Sequence, residues 1–364
     1  MDTSARVLVY GAYGHTGRFV VDELLRRGLT PVLSGRSAAG LDLVAGRWPG
    51  VEQRPAAVDD PVALRRALAG TAAVVNCAGP FADTALPVAT AAVAAGVHYL
   101  DLTAEQAAVQ ALHTALGDAA RAAGVAVVPA MAFYGGLADL LATAALSGPD
   151  DSDGEGGGDG RCGGEADEIT VVIALDRWWP TAGTRITGRR NTVPRLIVTG
   201  GTLASLPDQA PTTTWIFPAP FGPQPVVAMP FSEVITIARH VRVGELRTYL
   251  SAAPLADLRD PDTPPPSPAD ESGRSAQRFV VDVVVRRDGR DRMVSASGRD
   301  IYAVSAPIVA EGVERLLSGR ALTTGVASPG EIFAAGDVLA ALSAPGSEYL
   351  SLSSAGPQVP RATP

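Results

Sequence analysis

Four largely apolar residues, Val7-Leu8-Val9-Tyr10, run straight into Gly11-Ala12-Tyr13-Gly14-His15-Thr16-Gly17. An amphipathic stretch from Arg18 to Arg27 follows and stops at Gly28. A buried strand, a glycine-rich turn and a helix in immediate succession constrain this end of the chain to a βα unit. Such a turn brings bare N–H groups and the positive end of a helix against a phosphate. The spacing is Gly-x-x-Gly-x-x-Gly, a variant of the dinucleotide-binding pattern. A plain strand–helix turn uses the same glycines, but the flanking pattern favours a dinucleotide. Gly11, Tyr13, Gly14, His15, Thr16 and Gly17 are therefore candidate coenzyme-binding residues.

The next strand, Pro31-Val32-Leu33, ends in Ser34-Gly35-Arg36-Ser37. In a Rossmann unit this position, about 20 residues past the turn, meets the adenosine ribose, and an acidic residue there binds the 2′-hydroxyl of NAD. This chain instead places Arg36 between serines, which suits a 2′-phosphate through charge-assisted hydrogen bonds. The expected coenzyme is NADP(H), with Ser34, Gly35, Arg36 and Ser37 at its adenosine end. Asp59, after the third strand, either caps the next helix or lies beside the adenine.

All thirty basic residues are arginine; the chain has no lysine. That removes a P-loop lysine, Schiff-base catalysis and a tyrosine–lysine pair. The net charge of −8 argues against nucleic acid as the main partner. Cys77 and Cys162 are too few for a disulfide framework or a zinc site, so no metal is expected. Met1-Asp2-Thr3-Ser4 leads directly into a strand without a signal peptide, and no apolar run reaches bilayer length. The expectation is a reduced, cytoplasmic protein with no membrane span.

Strand and helix alternate through the first 145 or so residues. Helices over Leu41–Arg47, Pro61–Leu68, Ala85–Ala95 and Glu105–Ala123 separate strands at Val51–Val58, Ala73–Asn76, His98–Leu102 and Val125–Pro129. This rhythm predicts an α/β fold built on a doubly wound parallel sheet. Asp150–Gly164 is acidic, glycine-rich and without an apolar anchor, the composition of a disordered linker. Beyond it the texture alternates. Glu168–Leu175, Thr187–Thr199, Phe231–Thr236, Arg247–Ser251, Arg278–Arg286 and Met293–Ala303 read as strands of a mostly antiparallel sheet, with Asp288-Gly289 turning the last hairpin. Leu255–Gln277 reads as a loop, Pro218–Pro230 as a lid or dimer contact, and Ala306–Leu317 as a helix. The expected division is a Rossmann domain (1–148), a flexible linker (149–165), an α+β substrate or dimerisation domain (166–303), a helical segment returning to the first domain (304–345) and a tail (346–364).

Asn76-Cys77-Ala78-Gly79-Pro80-Phe81, then Pro87-Val88, then Gly96-Val97-His98-Tyr99-Leu100-Asp101-Leu102 and Glu105, resemble saccharopine dehydrogenase-like oxidoreductases. The opening Gly-Ala-Tyr-Gly-His-Thr-Gly-Arg and the Ser-Gly-Arg match too. The likeness continues more loosely to Gly183-Thr184, Asp300-Ile301-Tyr302 and Gly325-Val326. It implies an NADP(H)-binding Rossmann domain carrying an inserted α+β domain, often in a homodimer. Where that family has glycine-phenylalanine-aspartate and then proline after strand six, this chain has Met131-Ala132-Phe133-Tyr134-Gly135-Gly136.

Ligands of an open parallel sheet bind beyond the carboxyl ends of its strands. Cys77, Ala78, Gly79 and Pro80 are expected along the nicotinamide side, with Phe81 as an apolar wall toward substrate. Asp101, nearest the crevice, either orients substrate or binds a coenzyme hydroxyl, or else caps the following helix. His98 is read as a structural histidine, and Glu105 as a charge at the helix start. Tyr134 is the candidate proton donor, since a phenol can protonate a carbanion or nitrogen without lysine. Trp178, Thr184 and Arg185 are candidate substrate contacts. The sum is an NADPH-dependent reductase delivering hydride to an activated C=C (enoyl or enone) or C=N (imine) of a small metabolite. The alternatives are a non-catalytic NADP(H)-sensing module and a saccharopine- or opine-type amine dehydrogenase.

Overall fold

The computed structural model of the chain describes residues 5–147, 164–344 and 349–355. The first half alternates β1 (Arg6–Tyr10), α1 (His15–Arg26), β2 (Thr30–Gly35), α2 (Ala38–Ala45), β3 (Gln53–Pro55), α3 (Pro61–Leu68), β4 (Ala73–Asn76), α4 (Phe81–Ala94), β5 (His98–Asp101), α5 (Gln106–Ala122), β6 (Ala126–Val128) and α6 (Ala138–Leu146). Fully buried strands such as Val7-Leu8-Val9 and Val74-Val75 carry apolar side chains on both faces, as a sheet covered by helices on both sides requires. Gly28, Gly70, Gly96 and Gly124 all turn the chain out of helices at φ between 67° and 76°.

The remaining elements are β7 (Glu165–Leu175), α7 (Ala182–Arg190), β8 (Leu196–Thr199), β9 (Thr202–Ser205), β10 (Thr212–Ile216), β11 (Pro223–Ala228), α8 (Glu233–His240), β12 (Arg242–Ser251), α9 (Ala252–Arg259), β13 (Arg278–Arg287), β14 (Arg290–Arg299), α10 (Ser305–Leu317), β15 (Gly325–Val326), α11 (Pro329–Ile332), α12 (Ala335–Leu342) and β16 (Leu350–Ala355). The first sheet is wholly parallel, in the order β15-β6-β5-β4-β1-β2-β3. The order reverses at β1, which puts a crevice between the β1–α1 and β4–α4 turns. The second sheet runs β10-β11-β12-β7-β13-β14-β16, with β8 and β9 attached beside β12. It is antiparallel apart from the β12–β7 pair.

One apolar core joins the halves. Leu140 and Leu141 of α6 are fully buried in the same cluster as Val171 and Val283 of the second sheet and Val309 and Val313 of α10. Each such leucine contributes about 2 kcal/mol of burial. Arg27, at the end of α1, is held by Glu23 (2.7 Å), Glu311 (2.8 Å) and Glu314, which ties α1 to α10.

Several expectations are corrected. Thr187–Thr199 is not one strand: Thr181 caps α7 by accepting from Thr184 N, α7 ends on Arg189-Arg190, and only Leu196–Thr199 is extended. Phe231–Thr236 falls largely in a helix, α8, which buries Val234, Ile235 and Ile237. Pro218–Pro230 includes β11 and closes a hairpin with β10. Leu255–Gln277 begins inside α9. The expected tail contains β16, paired with β14. The expected linker lies outside the described residues except for Gly164 and Glu165, the latter the first residue of β7. Cys162 is outside them as well.

Candidate active site

Gly11 sits at φ +85°, and its N–H and that of Ala12 both donate to Ser34 O (2.8 and 3.1 Å). A Cβ on Gly11 would stand 2.9 Å from Ala78 N, so the first turn can approach the β4–α4 turn only as glycine. Gly14 is the N-cap of α1 and supplies no side-chain cap, and the first turn carries no acid. The first-turn N–H groups of a helix have no intrahelical acceptor. Here they form a bare anion cradle edged by His15, whose buried Nε2 has no partner among the described residues. Burial holds the His15 imidazole below its ordinary pKa, hence neutral.

At the end of β2, the ring of Tyr13 lies against Gly35, where a Cβ would be 2.7 Å from Tyr13 Cε1. Arg36 is exposed and makes no side-chain hydrogen bond or ion pair with other described residues. Tyr10 donates to Ala56 O, and burial, then Tyr13, push it up to about 12; Arg36 and Asp59 act on the same hydroxyl. Tyr13, Arg36 and Asp59 thus all act electrostatically on the Tyr10 hydroxyl. Asp60, not Asp59, caps α3, accepting from Val62 N and Ala63 N (3.0 and 2.9 Å). The serines serve the scaffold: Ser34 Oγ donates to Arg54 O, and Ser37 Oγ caps α2 by accepting from Gly40 N.

The β4–α4 turn is pinned from beneath. Asn76 Oδ1 accepts from Ala78 N, while Nδ2 donates to Thr84 Oγ1 and to Tyr99 Oη. Cys77 N donates to Tyr10 O, and burial pushes the Cys77 thiol up, leaving it protonated and inert. The carboxylate of Glu105 accepts from Phe81 N (2.8 Å) and Ala82 N (3.0 Å). It therefore caps α4, 24 residues earlier, rather than merely charging the start of α5. His98 Nδ1 accepts from Ala126 N, a structural contact between neighbouring strands.

Asp101 neither faces the crevice nor caps α5. It is fully buried; Oδ1 accepts from Thr103 N and Ala130 N, and Oδ2 from Tyr99 Oη (3.0, 2.8 and 2.8 Å). Burial pushes its carboxyl up to about 6 despite those bonds. It anchors the turn at Ala130, held at φ +58°, from which the Tyr134 loop departs. Asp101 is thus placed to position that loop.

Tyr134 is packed among rings: Phe231 at 4.2 Å between centroids, Phe133 at 4.9 Å and Trp178 stacked at 5.9 Å. Its buried hydroxyl has no hydrogen-bond partner among the described residues, and burial holds its pKa well above the ordinary value. Next to it is a residue that the sequence offered only as part of a motif, Tyr302. Its hydroxyl accepts from Trp178 Nε1 and shares a hydrogen bond with Thr184 Oγ1, both 3.0 Å. Its ring meets His15 edge-on at 5.4 Å. Trp178, Thr184 and Tyr302 of the second half are thereby joined to the glycine turn of the first. Thr187 of α7 approaches Gly79, where a Cβ would be 3.3 Å from Thr187 Oγ1, and Arg190 pairs with Asp83 of α4. Arg185 turns away, donating to Asp260 O and Thr263 O beyond α9, so the structure does not bring it to the site. Phe81, half-buried, opens α4 beside the Gly79-Pro80 turn.

With this geometry in place, the comparisons are specific about the first half. Residues 7–128 match the family described as saccharopine dehydrogenase NADP binding domain. A probable mitochondrial saccharopine dehydrogenase-like oxidoreductase of Arabidopsis thaliana is 30% identical over 143 residues, covering 35% of this chain and 31% of that one. The chain therefore spans about a third of that curated relative. The saccharopine dehydrogenase (L-Glu forming) of Saccharomyces cerevisiae superposes with a TM-score of 0.66, covering 97% of this chain and 100% of that one at 13% identity, a likeness of fold. Among the described residues no helix is long and apolar enough to cross a membrane. The plant relative's mitochondrial description lends no support to the cytoplasmic expectation.

Proposed function

With a saccharopine dehydrogenase-type NADP-binding domain at residues 7–128 as the premise, we propose that the chain is an NADPH-dependent reductase of a small molecule carrying an activated C=C or C=N bond. The observation that supports it best is the junction of His15, Tyr302, Thr184, Trp178 and Tyr134. It packs the rings and hydroxyls of the second half against the start of α1, where the coenzyme cradle lies in this reading.

The residues present fit the coenzyme. The bare first turn of α1 and the Gly11–Gly17 loop suit a pyrophosphate, Arg36 the 2′-phosphate, and Tyr13 with Asp59 the adenosine. Gly79 and Pro80 lie at the other side of the crevice. When bound, NADPH supplies hydride to the acceptor. The protein's tasks are orientation, exclusion of water and delivery of one proton. Phe133, Phe231 and Trp178 exclude water. Tyr134 keeps its proton at neutral pH on a hydroxyl with no hydrogen-bond partner among the described residues, so that proton is available to the acceptor, although burial makes the phenol a weaker acid. We assign coenzyme binding to residues 1–148 and the cover over it to residues 166–303; a homodimer is part of the same proposal.

The test is loss of nicotinamide absorbance when NADPH is mixed with enones, enoyl thioesters and imines. Turnover that survives Tyr134→Phe within about twofold would remove Tyr134 as the proton donor. NADPH binding with no turnover of any acceptor would favour the sensing module. Reduction of NADP⁺ dependent on a secondary amine would favour the amine dehydrogenase.

A further inference from the structure

Three polar groups, those of Glu233, Arg195 and Tyr134 itself, are left over from the architecture. Glu233 is 1% exposed; its Oε1 accepts from Phe231 N (2.8 Å) and Thr248 Oγ1 (2.7 Å), whereas Oε2 is buried with no partner among the described residues. The Tyr134 hydroxyl is in the same condition. Arg195 spends one donor on Pro230 O (2.6 Å) and lays its guanidinium 5.1 Å from the centre of the Phe231 ring, the ring that Tyr134 also packs on. Its other donors make no hydrogen bond to described residues.

The three groups sense one another electrostatically, yet no ion pair or hydrogen bond joins them among the described residues. Burying a guanidinium and a carboxylate without contact is costly unless something bridges them. A bridging group must offer acceptor lone pairs toward Arg195 and Tyr134 and a proton toward Glu233. A primary carboxamide meets both demands, and so does a carboxyl group that shares a proton with Glu233. An ester meets only the first. The rings of Phe231, Phe133 and Trp178 suit a flat, unsaturated body attached to such a head group.

We propose that Arg195, Glu233 and Tyr134 form a recognition subsite for the carboxamide or carboxyl group of a planar, unsaturated acceptor. This rests on the reductase reading above and names its substrate class. Gln106 positions the subsite: its side-chain amide donates to Leu196 O and Phe231 O and accepts from Leu196 N, which fixes the segments bearing Arg195 and Glu233 over the start of α5.

The experiment is calorimetric titration of the full chain, in the presence of NADPH, with benzamide, benzoate and methyl benzoate. Benzamide or benzoate should bind at least about tenfold tighter than the ester, because a site built to hydrogen-bond a group rejects the analogue lacking it. Preference for benzamide assigns a carboxamide, and preference for benzoate a carboxyl group. Arg195→Met should erase the preference. Tyr134→Phe, which removes one hydroxyl, should reduce it even if the arginine variant fails to fold. Equal binding of all three probes overturns the proposal, as does a preference untouched by both variants; the cluster then holds structural water only. NADPH affinity measured in the same cell separates the two claims. Its absence refutes the reductase, whereas intact coenzyme binding with no discrimination among probes refutes the subsite alone.

Discussion

Asp101→Asn separates a carboxylate that reacts from one that holds a loop. In the folded protein the Asp101 carboxyl is raised to about 6 from an ordinary 3.8, chiefly by burial. The folded state therefore grips this proton more tightly than the unfolded chain does. The contribution to stability is whole below about pH 4 and is lost as pH rises through about 6. A shift of about two units is about 3 kcal/mol. Asparagine imitates the protonated acid. Its oxygen still accepts from Thr103 N and Ala130 N, and its amide nitrogen faces Tyr99, whose hydroxyl loses its acceptor as it does beside the protonated acid. Urea unfolding should find the two proteins within about 1 kcal/mol at pH 4, with the variant more stable by about 3 kcal/mol at pH 8. Other raised carboxyls, Glu105 and Glu233 among them, cancel in the difference. Turnover of the variant should stay within about tenfold of wild type, whereas loss of a general acid–base group costs about 10²–10⁴. Parallel stability profiles for the two proteins, or abolished turnover, would refute the positioning role.

Arg36→Ala should weaken NADPH binding by about tenfold or more and leave NADH binding unchanged, as competition fluorimetry would show, since a charge-assisted bond to the extra phosphate is what it removes. Gly11→Ala should abolish coenzyme binding in the same assay: the added Cβ meets Ala78 N at 2.9 Å and the backbone sits at φ +85°. Arg27→Met should cost about 3 kcal/mol in urea unfolding, because Glu23, Glu311 and Glu314 lose a shared buried cation.

The nucleotide-binding half was legible because its signals are local. Glycines mark each turn, apolar runs mark each strand, and the Ser-Gly-Arg lies where βαβ geometry predicts the ribose. What escaped the sequence depends on partners distant along the chain. Glu105 looks like a helix-start charge until the fold delivers Phe81 N and Ala82 N to it. Tyr302 owes its place to Trp178 and Thr184, more than 100 residues earlier. In α8 the β-branched run Val234-Ile235-Thr236-Ile237 has strand propensity, but burial against the core decides for helix. Arg195 is one arginine among thirty, and only its position over Phe231 distinguishes it.

Tyr134 and Glu233 are raised by burial, while His15 and Arg195 are lowered, so desolvation biases each of these groups toward its neutral form. An enclosure in which hydride brings negative charge onto an acceptor has use for that bias. The neutral Tyr134 hydroxyl and the Arg195 guanidinium both attract such developing charge. The same low dielectric explains why the donors are held so firmly by rings and by Gln106. A buried donor that could swing to another acceptor would hold that acceptor in the resting state and be lost to the reaction. The contact between His15 and Tyr302 therefore matters twice. It packs the two halves together at the start of α1, and it joins the glycine loop to the hydroxyl network of Trp178 and Thr184.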